Sequence, residues 1–310
     1  MKSIYLDHNV AHYFVRGFPK DGTYPEDVER ATLTQALRHY PEVGFVLSPW
    51  NIVESAAERE RDSDPTVLAN RCADFFENLK PLHIAAHNII ERDEMKQCVW
   101  TALGLQRVPS EVPVFHEHLS QVHVQSGMTD AVIGYNIRKE LTYLAADSAS
   151  REGIRKSQQT ALSAQKEVRK AAQDGHWSDP QLRTEILRKW FSSMVPERKP
   201  DAHSLILPER QKAVASFLLD PKVVFQRCPA IFVEDLLTDV RATAMRKGPR
   251  IQDTMDLMHL LVPLAYCDAL VSNDRILLDC ARQVIRSTGR SVVIETKLSE
   301  TLKPLLATPR

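Results

Sequence analysis

Asp256-Leu-Met-His-Leu-Leu-Val-Pro-Leu-Ala-Tyr-Cys-Asp268-Ala-Leu-Val-Ser-Asn-Asp274-Arg275 sets the frame for the whole chain. From Asp256 to Leu264 the run is too apolar to face water, so it reads as a helix packed into a core with one acid at its start. Ala269-Leu270-Val271, followed by Ser272-Asn273-Asp274, reads as a short buried strand that delivers a second acid, and Arg275, to its tip. An acid at the carboxyl end of a buried strand stands where open α/β sheets place their ligands.

Working outward, the same pattern recurs. Ile4-Tyr5-Leu6 is an apolar strand that stops at Asp7, and Val43 to Ser48 is a second strand. Pro49 then opens a helix where a missing amide hydrogen does little harm, and Glu54 lies about one turn into it. Pro81 to Ala86 is a third strand and Ser291 to Thr296 a fifth. Helices are expected over Glu26 to Tyr40, Pro65 to Leu79, Phe232 to Arg246 and Arg275 to Arg286. Strand and helix alternating with continuously apolar strands predicts an α/β fold, a five-stranded parallel sheet covered on both faces.

The alternation stops after the third strand. Asn88 to Leu105, Asp130 to Ala146, Ser150 to Gln173, Asp179 to Ser193 and Pro208 to Leu219 all read as helices. This divides the chain into a core, residues 1–90 with 236–310, and a helical insertion, residues 91–235. The stretch from 138 to 212 is richer in Lys and Arg than in Asp and Glu, whereas the first hundred residues are the reverse.

Composition narrows the function classes. Among 310 residues, 40 Lys and Arg balance 40 Asp and Glu, so affinity for nucleic acid has to come from local clusters rather than from a global field. No apolar run reaches the roughly 18 residues of a membrane helix, and the first residues lack the apolar core of a secretion signal. The expectation is a cytoplasmic protein that does not enter the membrane. Five cysteines without a C-x-x-C pair fit reduced thiols better than a disulfide frame or a cysteine-ligated zinc site.

Asp7, Glu54, Asp256 and Asp274 thus occupy equivalent places on their elements. If the first, second and fourth strands are parallel neighbours, the four carboxylates crowd one edge, which right-handed crossovers make easy to build. Such crowding raises carboxylate pKa values unless a divalent cation compensates it, and an all-oxygen ligand set suits Mg²⁺ or Mn²⁺.

These residues resemble a known family. Asp7-His8-Asn9-Val10 is similar to the Asp-x-Asn opening of PIN-domain nucleases, and Ser48 with Glu54 is similar to their second acid. Asp256, eighteen residues before the Ser272-Asn273-Asp274 tip, resembles their helix acid and fourth-strand Ser/Thr-x-Asp signature. The likeness covers about the first 90 and last 75 residues. It implies a PIN-like (VapC-like) three-layer α/β/α fold with sheet order 3-2-1-4-5, and metal-dependent hydrolysis of phosphodiesters, most often in RNA. Asp7, Glu54, Asp256 and Asp274 would be the catalytic metal ligands, Asn9 and Ser272 would orient them, and Arg275 would touch phosphate. In-line attack by a metal-activated water would leave a 5′-phosphate and need no 2′-hydroxyl. A toxin or defence role, an antitoxin or other protein partner, and an oligomer are compatible with the family. The long helical insertion departs from the compact members.

Other readings stand beside this one. A structure-specific DNA nuclease of the flap type shares an acid-rich edge, and a PIN-like scaffold could bind RNA or protein without cutting. A haloacid-dehalogenase-like phosphatase needs a second Asp two residues after the first, where Asn9 stands. Asp268 begins its strand at the end opposite the acids, which points to a structural role, and Asp253 is the expected cap of the Asp256 helix. His8 with His12, His83 with His87, and His116, His118 and His123 are spaced at intervals that invite zinc, but none forms H-E-x-x-H or a finger. Trp190, in a mixed basic and aromatic string, is expected to be buried on an amphipathic helix.

Overall fold

The computed structural model describes residues 1–57, 64–102, 111–125, 136–174, 226–243 and 251–307. Six strands form one sheet: β1 (Lys2–Leu6), β2 (Val43–Leu47), β3 (Leu82–Ile84), β4 (Phe115–His116), β5 (Ala269–Val271) and β6 (Val293–Glu295). Their order is β4-β3-β2-β1-β5-β6, and every pair is parallel except β3 with β4. The expected five parallel strands in the order 3-2-1-4-5 are therefore corrected to a mixed six-stranded sheet. Phe115–His116 pairs antiparallel with the edge of β3, Ile84 opposite Phe115 and His83 opposite His116.

β1 is the centre of the architecture. It pairs with β2 through Tyr5 opposite Val46 and with β5 through Leu6 opposite Val271. The chain leaves β1 toward β2 and later returns to its other side at β5, so β1 and β5 flank a topological switch point, where carboxyl ends of strands open into a crevice. Ile4, Tyr5, Leu6, Leu270 and Val271 are all buried, as expected of strands covered on both faces.

The described residues form the helices α1 (His8–Arg16), α2 (Glu26–His39), α3 (Pro49–Ala57), α4 (Pro65–Leu79), α5 (His87–Ala102), α6 (Leu119–Gln125), α7 (Ile137–Ala146), α8 (Ser148–Gln173), α9 (Pro229–Thr243), α10 (Ile251–Tyr266), α11 (Arg275–Thr288) and α12 (Leu298–Ala307). None of these helices is long and apolar enough to cross a membrane. The expected helices at 179–193 and 208–219, with Trp190, lie outside the described residues, as do the side chains of Asp253 and Asp256.

α10 carries Leu260, Leu261, Val262, Leu264 and Ala265 into the core around an internal Pro263. Helices of the expected insertion join the same apolar core. Ile137, Leu141 and Ala145 bring α7 against α4 and α3, while α8 packs on α9 and α10.

Two buried glutamates act as helix caps at long range. Glu29 on α2 accepts the Leu298 and Ser299 amides at 2.9 and 3.3 Å, fixing the start of α12. Glu94 on α5 accepts the Ala230 and Ile231 amides at 2.9 and 3.3 Å, fixing the start of α9, and also accepts the Tyr266 hydroxyl at the end of α10. Each satisfies amides that a helix leaves open at its first turn. Asp268 clasps the far end of the sheet: its carboxylate accepts the Ser3 amide at 2.8 Å and the Ser3 hydroxyl at 3.0 Å.

Burial pushes the Glu94 carboxyl up to about 7 despite its three donors. A carboxyl raised in the folded state binds its proton more tightly there, so its contribution is complete below its unfolded value near 4.5 and is lost as pH rises through about 7. Glu94→Gln should therefore gain on the native chain by about 3 kcal/mol between pH 4.5 and pH 8, read by urea unfolding at each pH.

Candidate functional site at the carboxyl edge of the sheet

The tips of β1, β2 and β5 meet at a buried polar cluster. Asp7 follows directly on β1 and is 4% exposed. Its Oδ1 accepts the His8 amide at 2.8 Å, capping α1, and its Oδ2 accepts the Ser272 hydroxyl from the tip of β5 at 2.8 Å. Ser272 is fully buried, and its Oγ in turn accepts the Asp274 amide at 3.1 Å. Asp274 caps α11, its Oδ1 accepting the Ile276 and Leu277 amides at 2.8 and 3.0 Å.

Glu54 reaches the cluster from α3. Its Oε2 lies 2.9 Å from His259 Nε2 and 3.8 Å from His8 Nδ1. His259 projects from α10, 1% exposed, and its Nδ1 stands 3.9 Å from Asp7 Oδ1 and hydrogen-bonds the Tyr5 hydroxyl. Asp7 and Glu54 are thus joined through one imidazole. Position 256 is on the same helix, three residues earlier, close to one turn away.

The hydrogen bonds around Tyr5 fix where protons sit. Asn51 Nδ2 donates to the Leu6 carbonyl at 3.1 Å, and its Oδ1 accepts the Ser48 amide and hydroxyl, each at 2.9 Å. Ser48 has one proton and gives it to Asn51, so Tyr5 must donate across the 3.0 Å contact to Ser48. His259 Nδ1 must then donate to Tyr5. Satisfying every contact places a proton on Nδ1 and one more between Nε2 and Glu54. The Nδ1 proton is thereby committed to Tyr5, and the proton at Nε2 is shared with the Glu54 carboxyl.

Burial, above all, raises the Asp7 carboxyl above its ordinary value; His259 opposes this, and the charge of Glu54 adds to it. Burial and the nearby Asp7 charge also raise the Tyr5 phenol well above its ordinary value, keeping it a hydroxyl donor.

Sequence reasoning named Asp7, Glu54, Ser272 and Asp274 at this edge, and the structure places all four there. The side chain of Asp256 lies outside the described residues. Asn9 is exposed on α1, and the amide that positions strand tips is the buried Asn51 on α3. Arg275 is exposed at the first position of α11. His259 is the site residue that the sequence patterns do not single out, although a lone histidine inside the apolar run Asp256 to Leu264 is a visible signal.

Among the described residues, no group of three or more His, Cys, Asp or Glu side chains is placed to hold a metal ion. The chemistry of Asp7 and Glu54 nevertheless suits a hard cation, because both are oxygen donors with lone pairs beyond those used by His8, Ser272 and His259. Among the described residues the histidine pairs are not grouped with a third His, Cys, Asp or Glu in a way that could hold a metal. The His8 and His12 rings lie tilted at 44° with centroids 4.0 Å apart, and His83 faces His116 across β3 and β4. Burial drives the His83 and His87 rings down to about 4, which keeps them neutral.

Comparison with protein-family models, with curated proteins and with solved structures finds no match to this chain. The fold and the cluster define it as a mixed α/β protein with an acid-lined edge at a strand switch point.

Because the Asp7 carboxyl is raised in the folded state, its ionised form lowers stability as pH climbs. In metal-free buffer Asp7→Asn should melt above the native chain, with a margin that widens as pH rises above the ordinary carboxylate range in thermal scans. His259→Ala should instead cost about 3 kcal/mol, as expected when one partner of a buried charged contact is removed, measured by chemical denaturation.

Proposed function

We propose that the protein is a divalent-metal-dependent endoribonuclease acting at the carboxyl edge of β1, β2 and β5. One observation carries the reading: the buried Asp7 carboxylate, gathered with Glu54 around His259 and held by Ser272. A carboxylate raised by burial and by a second carboxylate weakens the fold, and such perturbed acids concentrate at functional sites. The resemblance of Asp7, Ser48 with Glu54, Asp256 and Ser272-Asn273-Asp274 to PIN-domain nucleases supports the same chemistry.

On this reading Asp7 and Glu54, with Asp256 and Asp274 from the same edge, would hold Mg²⁺ or Mn²⁺. When bound, the metal supplies a water of lowered pKa for attack and neutralises charge growing on the phosphate. The protein's own side chains set up the rest. Ser272 aims one Asp7 oxygen, His259 fixes the reach of Glu54, and the Tyr5-Ser48-Asn51 chain locks His259 in turn. Arg275, exposed beside Asp274, is available to a phosphate. Exposed Arg155, Lys156, Lys166 and Lys170 on α8 offer further backbone contacts along an RNA strand. A toxin or defence role with a protein partner follows from the resemblance.

Incubation of the protein with mixed RNA and DNA, in Mg²⁺, Mn²⁺ or chelator, tests the proposal. RNA should be cut to 5′-phosphate ends only with metal, Ser272→Ala should lose roughly 10- to 100-fold, and Asp7→Asn more than about 100-fold. Cleavage confined to branched DNA would replace RNA by a structured DNA substrate. Equal RNA binding without cutting by native and Asp7→Asn chains would overturn the enzyme in favour of a scaffold.

A further inference from the structure

Helix α5 carries, beyond its buried acids, a cysteine that meets a partner far away in sequence. Cys98 Sγ lies 3.2 Å from Cys228 Sγ, across 130 residues of chain, and both thiols are free. Cys228 stands one residue before α9 and is fully buried, while Cys98 is 3% exposed. Cys98 also lines an open cleft of about 300 Å³ together with Gln97, Thr101 and Arg227. Both cysteines are buried, and of the two it is Cys98 that borders the cleft.

The surroundings divide the chemistry between the two thiols. The hydrogen-bonding contact between the two thiols and the nearby Arg227 guanidinium lower the Cys98 thiol against the opposing effect of burial. The same contact and burial push Cys228 up. The reactive form of a cysteine is the thiolate, favoured by a neighbouring cation and partial access. The other cysteines, Cys72, Cys267 and Cys280, are buried without a second cysteine paired to them among the described residues, and burial raises both Cys267 and Cys280.

We propose that Cys98 and Cys228 form a hydroperoxide-reactive dithiol, in which Cys98 attacks, Cys228 resolves, and the two close reversibly into a disulfide tying α5 to the start of α9. In the first step the Cys98 thiolate attacks one peroxide oxygen; the O–O bond breaks, an S–O bond forms, and the leaving hydroxide takes a proton as water. In the second step Cys228 sulfur attacks the Cys98 sulfenic acid; the S–O bond breaks, the S–S bond forms, and the Cys228 proton leaves with the hydroxyl as a second water. Two thiols and one hydrogen peroxide thus give one disulfide and two waters. A thiol reductant returns both thiols. The sulfurs must approach by about 1 Å to reach bonding distance, a movement within the reach of side-chain rotation. Because Glu94 on the same helix already anchors α9, the disulfide fastens a joint that a hydrogen-bonded acid holds in the reduced state.

The test uses the full chain, reduced and then exposed to graded hydrogen peroxide, with intact mass and non-reducing peptide mapping as readouts. The expected product is a Cys98–Cys228 linked peptide with loss of two hydrogens, reversed by dithiothreitol and formed at least about tenfold faster than any oxidation of Cys267. Cys228→Ser should stop at a Cys98 sulfenic acid captured by dimedone, and Cys98→Ser should give neither product. Oxidation that leaves Cys98 and Cys228 unlinked in the native chain, or spreads equally over all five cysteines, would overturn the dithiol. So would a Cys98→Ser chain whose Cys228 reacts at the native rate. The native-chain mapping needs no substitution, so its outcome stands even if a variant fails to fold. It is also independent of the nuclease reading, because no step involves RNA or a metal.

Discussion

A carboxylate at the end of the central strand of a sheet covered on both faces loses most of its hydration, and every neighbour of Asp7 answers that loss. Its two oxygens take one donor each from different elements, the His8 amide of α1 and the Ser272 hydroxyl beyond β5. The remaining negative charge is met by His259 from α10, which also holds Glu54 from α3. Four elements that start far apart in sequence are thereby pinned to one point. Hydrogen-bond donors favour the ionised acid, yet desolvation outweighs them and the carboxyl stays raised. The cluster is organised but electrostatically unsettled, and what distinguishes it from the Glu94 cap is the second carboxylate, Glu54, which adds to the rise at Asp7.

Much of this arrangement was legible because it rests on local patterns. Ile4-Tyr5-Leu6, Val43 to Leu47 and Ala269-Leu270-Val271 are apolar runs that stop at polar tips, and those tips are where Asp7, Ser48 and Ser272 emerge. Pro49 and the N-terminal position of Asp274 marked helix starts that the structure contains. The rest was hidden because it depends on distance. His259 acquires its role only from Glu54, 205 residues away, and from Tyr5, 254 residues away. In the sequence alone, a single histidine in an apolar helix reads equally well as core. β4 has only two residues, Phe115 and His116, too few for alternation to reveal. Asn9 looked like the orienting amide because it sits two residues from Asp7, but the buried partner is Asn51, which reaches the end of β1 from the next strand-helix junction.

The helical portion obeys a related rule. A helix start buried in a core leaves amides that water cannot reach, and a buried carboxylate on another helix can supply the acceptor. Glu94 does this for α9 while taking the Tyr266 hydroxyl from α10, so α5, α9 and α10 are registered by one side chain. Since α10 carries both His259 and position 256, the packing of α5 and α9 helps to set where the acid edge receives its helix-borne groups. The expected insertion is thus built into the support of the site, through α7 on α3 and α4 as well as through α8 on α9 and α10.

The turn Ser272-Asn273-Asp274 shows how capping and positioning can share the same atoms. Ser272 Oγ accepts the Asp274 amide and donates to Asp7, so the start of α11 and the end of β1 are linked through one hydroxyl. Both amides capped by Asp274 go to Oδ1, leaving Oδ2 outside the cap. An alanine at position 272 would break the link to Asp7 and take the acceptor from the Asp274 amide while the Asp274 side-chain cap stays, whereas an alanine at 274 would remove the cap itself. The side-chain cap of α11 therefore survives loss of the Ser272 hydroxyl and does not survive loss of the Asp274 carboxylate. This makes Ser272 the residue at which loss of positioning can be read without loss of the helix.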